Sequence, residues 1–225
     1  NVSDYFATTQ ERLARRLFDE VAAGLRVPLL LPSIDPALDG GASRKELFVW
    51  AAPPSRMKTA SLVWVTKAAL YQGCQVGIFT SELSKEKYQQ RLDRAVARMT
   101  KKQIQEQPER ALKLIQSVEQ FKGTLRVIEL AGKEATVERI HAYLEQLRGE
   151  SPGFTPDIVI VDYPGVMRAS RRQEQRRFEL AEIYTDLRTL AKEWEVPVHT
   201  ACQMNRNSLR KRVVKIDDLA ECFEV

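Results

Sequence analysis

Five apolar segments of strand length, separated by segments with the spacing of helices, constrain the fold of this chain more than any other feature. The apolar segments are 47–51, 75–80, 125–130, 157–161 and 196–201. Most of them are apolar throughout, which is typical of strands that are covered on both faces. Strands that alternate with helices favour a parallel sheet between two helical layers. The predicted fold class is therefore α/β, with a mostly parallel twisted sheet and helices on both faces.

The segments between the strands carry helical signals. Helices are predicted over 60–72, 85–102, 136–147 and 178–194. A polar helix with a break near Pro108 is predicted over 103–120. In the last helix, apolar residues recur at helical spacing and predict one buried face, made of Leu180, Ile183, Tyr184, Leu187, Leu190 and Ala191.

The N-terminal part of the chain differs from the rest. Residues 8–24 predict a capped helix that ends at Gly24. This helix either packs on its own domain or links it to a neighbouring subunit. Residues 25–41 are rich in proline and glycine and predict a connector. The predicted domains are therefore a linker helix and connector over 1–32 and one larger domain over 33–225.

Composition narrows the classes of partner and location. The 35 basic and 30 acidic residues leave a formal charge of +5, which suits a polyanionic partner. No apolar run approaches the ~20 residues of a membrane span, and the N-terminus has no signal-peptide pattern. Three widely spaced cysteines predict reduced thiols. We therefore expect a cytoplasmic protein that has no membrane among its partners.

Residues 48–60, FVWAAPPSRMKTA, have the layout of a Walker A loop. In such a loop, backbone N–H groups at a helix N-terminus attract phosphate, a lysine reaches the β- and γ-phosphates, and a hydroxyl ligates Mg²⁺. Lys58 and Thr59 occupy the last two positions, but the pattern requires glycine where this chain has Ala52 and Met57. The loop alone is thus a weak match. The predicted nucleotide-binding residues are Pro54, Ser55, Arg56, Met57, Lys58, Thr59 and Ala60.

Polar residues follow the other predicted strands. Glu82 follows 75–80, Asp162 follows 157–161, and Gln203 follows the last strand. Ligands of parallel sheets bind at the carboxyl ends of the strands. A nucleotide hydrolase needs a cationic phosphate cradle, a Mg²⁺ partner, a carboxylate for the attacking water and a sensor of the γ-phosphate. The loop lysine and threonine, Asp162, Glu82 and Gln203 fit these roles in that order.

Each of these three residues also has an ordinary structural explanation. Asp162 could cap the turn that follows it. Glu82 could pair with Lys85 or Lys87 on the next helix. Gln203 could be a solvated loop residue. Their joint occurrence at successive strand ends favours the nucleotide site.

Three longer segments carry a family resemblance. In chain order they are FTSELSKEKYQQRLDR at 79–94, DIVIVDYPGVM at 157–167 and LRTLAKEWEVPVHTACQMNR at 187–206. They resemble successive motifs of the DnaB-like replicative helicases, and residues 33–60 are similar to that family's entry into its Walker A loop. The resemblance covers about 33–221, and phage-encoded members look closest. It implies a RecA-like ATPase domain that uses ATP and Mg²⁺, in the host cytoplasm if the chain is phage-encoded.

The resemblance also assigns roles to individual residues. The family's glutamate at the position of Glu82 activates water, and its aspartate at the position of Asp162 holds Mg²⁺ through water. Its glutamine at the position of Gln203 links the γ-phosphate to the DNA-binding loop. We therefore predict Glu82, Lys58 and Gln203 as catalytic residues, and Thr59 and Asp162 as the Mg²⁺ site.

Two departures from the family pattern matter. The family has glycine at the position of Met57, whereas alanine at the position of Ala52 is common. If the backbone there needs a positive φ, a non-glycine residue costs ~1–3 kcal/mol, equivalent to ~5- to 150-fold in nucleotide affinity. The family also continues into further strands and a basic motif that supplies an arginine finger. This sequence stops at Val225, so the predicted domain lacks those strands, and no finger is assigned.

Two runs of basic residues follow the strand ends, and either run could be an ordinary solvated loop. In the family, the corresponding loops line the channel of a hexameric ring and hold the backbone of single-stranded DNA. Since the runs contain few aromatic residues, they predict contacts with phosphates. The predicted nucleic-acid-binding residues are Arg168, Arg171, Arg172, Arg176, Arg177, Arg206, Arg210, Lys211 and Arg212.

The sequence therefore predicts an ATP-dependent DNA helicase motor domain that translocates on single-stranded DNA during replication. The expected partners are single-stranded DNA, further copies of the chain and other replication proteins. The alternative is a catalytically weakened RecA-fold protein that binds single-stranded DNA, such as a recombination mediator or a replication adaptor.

Overall fold

The computed structural model describes residues 26–53, 57–130, 135–150, 153–171 and 174–204. Within these residues the chain forms one five-stranded parallel sheet in the order β1-β5-β4-β2-β3. The strands are β1 (Leu47–Ala52), β2 (Gln75–Thr80), β3 (Thr124–Glu129), β4 (Ile158–Asp162) and β5 (Val198–Gln203). The predicted α/β class and parallel sheet are confirmed.

Six α-helices connect the strands within the described part of the chain. They are α1 (Lys58–Leu70), α2 (Lys85–Ala97), α3 (Lys101–Glu106), α4 (Pro108–Gln116), α5 (Val137–Gly149) and α6 (Arg176–Trp194). Short 3₁₀ turns lie at Asp35–Leu38, Ser117–Phe121 and Pro164–Val166. None of the described helices is long and apolar enough to cross a membrane.

The sheet separates two hydrophobic cores. Side chains of a strand point alternately to opposite faces. Ile158 and Ile160 of β4 therefore pack with α1 and α2 on one face, whereas Val159 and Val161 pack with α5 and α6 on the other. The predicted apolar face of α6 lies in the second core. The prediction of helices on both faces is thus confirmed.

The central strands are buried along almost their whole length. In β4 every residue is buried, and β2 and β5 are buried at five of their six positions. The outer strands β1 and β3 instead alternate between exposed and partly buried residues. The central strands have neighbours on both sides and helices on both faces, so apolar side chains dominate them. The polar His199 and Thr200 inside β5 are buried with hydrogen-bond partners.

One predicted helix is divided in the structure. The single helix expected over 85–102 ends at Ala97, because Arg98 adopts a left-handed conformation with φ of 54°. Thr100 then caps α3 through a reciprocal capping box with Gln103. The predicted break near Pro108 is confirmed, since Pro108 occupies the first turn of α4.

The connector packs onto the domain. Val27 and Ala42 form an isolated antiparallel bridge, and both lie in the core that contains α1. The Asp35 carboxylate accepts hydrogen bonds from the backbone of Leu29 and Leu31 at 2.8 and 3.0 Å. The helix predicted over 8–24 lies outside the described residues, and the boundary at residue 33 stays a prediction.

Candidate active site

The strand order brings the predicted site residues to one edge of the sheet. β5 lies between β1 and β4, and β2 lies on the far side of β4. Because the strands are parallel, their carboxyl ends meet where α1 begins. A backbone hydrogen bond of 2.8 Å from Ser81 to the carbonyl of Asp162 joins the ends of β2 and β4. Lys58, Glu82 and Gln203 are positioned by the neighbouring strand ends.

Lys58 lies inside this cluster and is 8% exposed. Its ammonium donates a hydrogen bond of 3.1 Å to Oε1 of Gln203 and lies 3.4 Å from the centre of the Tyr163 ring. Burial lowers the pKa of Lys58, and the negative charges of Glu82 and Asp162 oppose this shift. Gln203 is therefore a partner of the lysine and not a solvated loop residue.

Asp162 is fully buried at the end of β4. Neither carboxylate oxygen accepts a hydrogen bond from the described residues, so the carboxylate does not cap the turn that follows it. Burial raises the pKa of Asp162 to about 6, although the nearby side chain of Thr59 opposes this shift without reaching full hydrogen-bond geometry. A buried carboxylate without a partner is costly, and its oxygens are ligands that Mg²⁺ prefers.

Glu82 is exposed just beyond the end of β2. The turn that carries it is held by Thr80, whose hydroxyl donates to the carbonyl of Leu83 at 2.8 Å and accepts from its N–H at 3.2 Å. Among the described ion pairs, none joins Glu82 to Lys85 or Lys87. The carboxylate is thus available to a water or ligand at the sheet edge.

Met57 directly precedes α1 in a left-handed conformation, with φ of 53° and ψ of 10°, and is 74% exposed. This is the conformation that glycine adopts without strain, so the condition for the predicted cost at Met57 is met. Ala60 is exposed on the first turn of α1. Pro54, Ser55 and Arg56 lie outside the described residues.

The first basic run begins in the turn after Asp162. Arg168, Arg171 and Arg177 are exposed there. A polar groove of about 650 Å³ is lined by residues 165–170 together with Arg176 and Glu179. The remaining predicted nucleic-acid-binding residues lie outside the described residues. They are Arg172, Arg206, Arg210, Lys211 and Arg212.

Arg176 has a structural role that the sequence pattern did not indicate. Its guanidinium donates to the Glu179 carboxylate at 2.7 Å and to the carbonyl of Met167 at 2.8 Å. It also reaches the carbonyls of Pro164 and Gly165 at 3.4 and 3.1 Å. These contacts hold the turn after β4 against α6. They also leave fewer N–H groups of the guanidinium to bind a phosphate.

Tyr163 is the site residue that sequence reasoning missed. The available signal was an aromatic residue directly after the polar residue that ends a buried strand. The contact with Lys58 depends on the strand order β1-β5-β4, because Lys58 follows β1 and Tyr163 follows β4. A linear motif does not show that arrangement.

Comparison with known proteins identifies the family of the chain that carries this cluster. The family model for the DnaB-like helicase C terminal domain matches residues 27–222. The chain belongs to this family. The predicted membership is confirmed, and it supports a replicative-helicase ATPase function at the level of the family.

Curated relatives of this helicase-family domain are replicative DNA helicases named DnaB. The chain is 30% identical over 182 residues to that of Buchnera aphidicola from Acyrthosiphon pisum, covering 76% of this chain and 38% of the relative. It is 32% identical over 185 residues to that of Rhodothermus marinus, covering 76% and 18%. The chain thus spans less than half the length of these relatives.

Two solved structures share the fold. The ATPase domain of G40P has a TM-score of 0.80 and 21% identity, covering 99% of this chain and 80% of that one. A DnaB-like replicative helicase, described with its interactions with primase, has a TM-score of 0.79 and 19% identity, covering 100% and 54%. The predicted RecA-like architecture is confirmed.

Proposed function

We propose that this domain is the ATP-hydrolysing motor of a replicative helicase that translocates on single-stranded DNA. The observation that carries the proposal is the buried carboxylate of Asp162, which lies at the strand ends beside Lys58 and Thr59. Its oxygens accept no hydrogen bond from the residues that the structure describes. A fold leaves a buried charge unpaired only at some cost in stability. A cation that arrives with a nucleotide would offset that cost.

The residues at this edge fit Mg²⁺ and a nucleoside triphosphate. Asp162 and the hydroxyl of Thr59 supply hard oxygen ligands, the type that Mg²⁺ selects. When bound, the ion would neutralise the charge that develops on the β- and γ-phosphate oxygens. Lys58 would contact the same phosphates, and the backbone N–H groups at the start of α1 would contribute a favourable field.

Glu82 and Gln203 would complete the hydrolytic site. The Glu82 carboxylate, at the end of β2, would orient the attacking water or accept its proton. The exposed position of Glu82 allows a water to reach it. Gln203 would respond to the γ-phosphate, because its amide already contacts the lysine that this phosphate attracts.

The basic turn after β4 would hold the DNA. Arg168 and Arg171 are exposed beside the polar groove, and the turn begins directly at the strand that carries Asp162. A rearrangement at the phosphates could therefore reach the DNA contacts through a few residues. We expect six copies of the full-length protein to form the ring and other replication proteins to bind it in the cytoplasm.

Steady-state ATP hydrolysis tests the motor. We expect turnover that single-stranded DNA stimulates and that Lys58→Ala abolishes. Lys67→Ala is the matched control, since it removes another largely buried amine from α1. Both variants must retain the thermal unfolding transition of the wild type. Equal turnover in wild type and Lys58→Ala would contradict the proposal.

The DNA contact has its own test. Affinity for a fluorescent single-stranded oligonucleotide should fall with salt, with a log–log slope of about −0.7 per phosphate neutralised. Arg168→Ala should make this slope shallower by about 0.7, whereas the exposed Arg110→Ala on α4 should leave it unchanged. A wild-type affinity that does not respond to salt would count against phosphate contacts.

The conformation of Met57 favours a second candidate, a weakened ATPase that binds single-stranded DNA. The positive φ of this residue is observed, and a side chain there strains the loop. Met57→Gly separates the two candidates. A rise in nucleotide affinity of about 5- to 150-fold, together with the appearance of turnover that the wild type lacks, would establish the weakened form.

A further inference from the structure

The Tyr163 side chain has no role in the site described so far. Its ring lies 3.4 Å from the Lys58 ammonium, which also donates to Gln203 at 3.1 Å. An ammonium over the face of an aromatic ring is attracted by the ring quadrupole. The ring is therefore an energetic partner of the lysine that is expected to bind phosphate.

A phosphate that binds this ammonium would compete with the partners that the ammonium has within the described residues. Lys58 is 8% exposed, so its charged group is covered by protein. Within the described residues no carboxylate forms an ion pair with it. Within the described residues, the ammonium therefore has a hydrogen bond to the Gln203 amide and a cation–π contact with the tyrosine ring.

The ring also packs closely against the turn that follows it. A Cβ atom at Gly165 would lie 2.3 Å from Cε2 of Tyr163, so the glycine allows the ring to lie against the backbone. Arg176 pins the same turn through the carbonyls of Pro164, Gly165 and Met167. The lysine has a flexible four-carbon stem. When a phosphate approaches, the lysine should move and the ring should stay.

We propose that Tyr163 is a positioning residue that competes with nucleotide phosphates for the Lys58 ammonium and so weakens nucleotide binding. This inference rests on the proposed nucleotide site. Removal of the ring leaves the lysine with fewer partners to give up, so the phosphates bind it more tightly. An aromatic ring without the hydroxyl keeps the competition.

The test measures the affinity of a fluorescent ATP analogue with Mg²⁺ for the wild type and five variants, one of which combines Lys58→Ala with Tyr163→Leu. Tyr163→Leu should bind about 2- to 30-fold more tightly, which corresponds to about 0.5–2 kcal/mol. Tyr163→Phe should bind within twofold of the wild type. In a Lys58→Ala background, Tyr163→Leu should change the affinity by less than twofold. Gly165→Ala, which displaces the ring without removing it, should shift affinity in the same direction as Tyr163→Leu.

The outcomes separate this inference from the function on which it rests. If the wild type binds more tightly than Lys58→Ala but Tyr163→Leu binds equally or more weakly than the wild type, the competition is refuted and the nucleotide site stands. If Tyr163→Leu acts equally in both backgrounds, the ring has only a structural role. If the wild type binds no more tightly than Lys58→Ala, the nucleotide site is wrong and the inference falls with it.

Discussion

Two aspartates at opposite ends of β4 have opposite environments. One oxygen of Asp157 accepts a hydrogen bond of 2.8 Å from the backbone of Gln75, and the other lies 3.8 Å from the Arg44 guanidinium. Asp162 is fully buried, and its oxygens have no partner in the described residues. The first carboxylate is satisfied by the chain and holds the fold, whereas the second is left available to a ligand. Unsatisfied buried charge therefore distinguishes the end of the strand that carries the proposed site from the end whose carboxylate is paired.

The largest difference between the two aspartates should appear in turnover. Asp162→Asn should lower ATP hydrolysis by about 100-fold or more, since a group that acts on developing charge is worth about 10²–10³ in rate. Asp157→Asn should stay within about twofold of the wild type. Steady-state hydrolysis at saturating ATP and Mg²⁺ measures both. Equal losses in the two variants would remove the functional distinction.

His199, on the neighbouring strand β5, shows how burial changes a pKa at a position where no ligand is proposed. His199 is fully buried on β5, and its Nδ1 accepts a hydrogen bond of 3.1 Å from Trp50. Burial lowers the pKa of His199 to about 3. A folded-state pKa below the unfolded value of about 6.5 means that the unfolded chain binds the extra proton, so stability is lost as pH falls from about 6.5 toward 3.

This histidine should account for a loss of about 2 kcal/mol between pH 7 and pH 5 in the free energy of unfolding. Urea unfolding at both pH values measures the loss. His199→Gln should remove most of this pH dependence, whereas the more exposed His141→Gln should retain it. Asp162, whose pKa is raised to about 6, offsets part of this loss in the wild type, because the folded state takes up its proton over the same pH range. The decisive comparison is therefore between the wild type and His199→Gln, and an equal pH dependence in the two would contradict the depressed pKa of His199.

Loss of the Asp162 charge should have the opposite effect on stability from its effect on turnover. Without Mg²⁺ at pH 7, Asp162→Asn should raise the free energy of unfolding by about 1–2 kcal/mol, because an unpaired buried charge is removed. Millimolar Mg²⁺ should raise the melting temperature of the wild type but not that of the variant. A less stable Asp162→Asn would show that the carboxylate holds the fold after all.

The smallest effects on stability should come from changes at Asp157 and its partner Arg44. Asp157→Ala should lower the free energy of unfolding by about 1 kcal/mol, since the N–H of Gln75 loses its side-chain acceptor. Arg44→Ala should lower it by less than about 0.5 kcal/mol, because the ion pair is partly exposed. Chemical denaturation of the three proteins compares them. A larger loss for Arg44→Ala would reverse the assigned order.

Sequence reasoning succeeded where a residue carried a clear local signal, and failed where that signal was missing or where contacts crossed the sheet. The break at Pro108 was predicted from one residue, whereas the left-handed turn at Arg98 was missed because arginine carries no turn signal. Asp162 was predicted as a site residue from its position after an apolar run, and this role stays a prediction. Its burial, the ring of Tyr163 and the structural contacts of Arg176 depend on elements that are distant in sequence.

The sequence by itself determined the fold class, the family and the residue types available at the strand ends. Apolar runs specify buried strands locally, and the polar residues that end them mark one edge of a parallel sheet. The tertiary structure decided which of these residues meet. Because β5 lies between β1 and β4, Lys58 contacts both Gln203 and Tyr163. Strand neighbours are set by the crossover connections and by packing against the helices, and no local pattern encodes that choice.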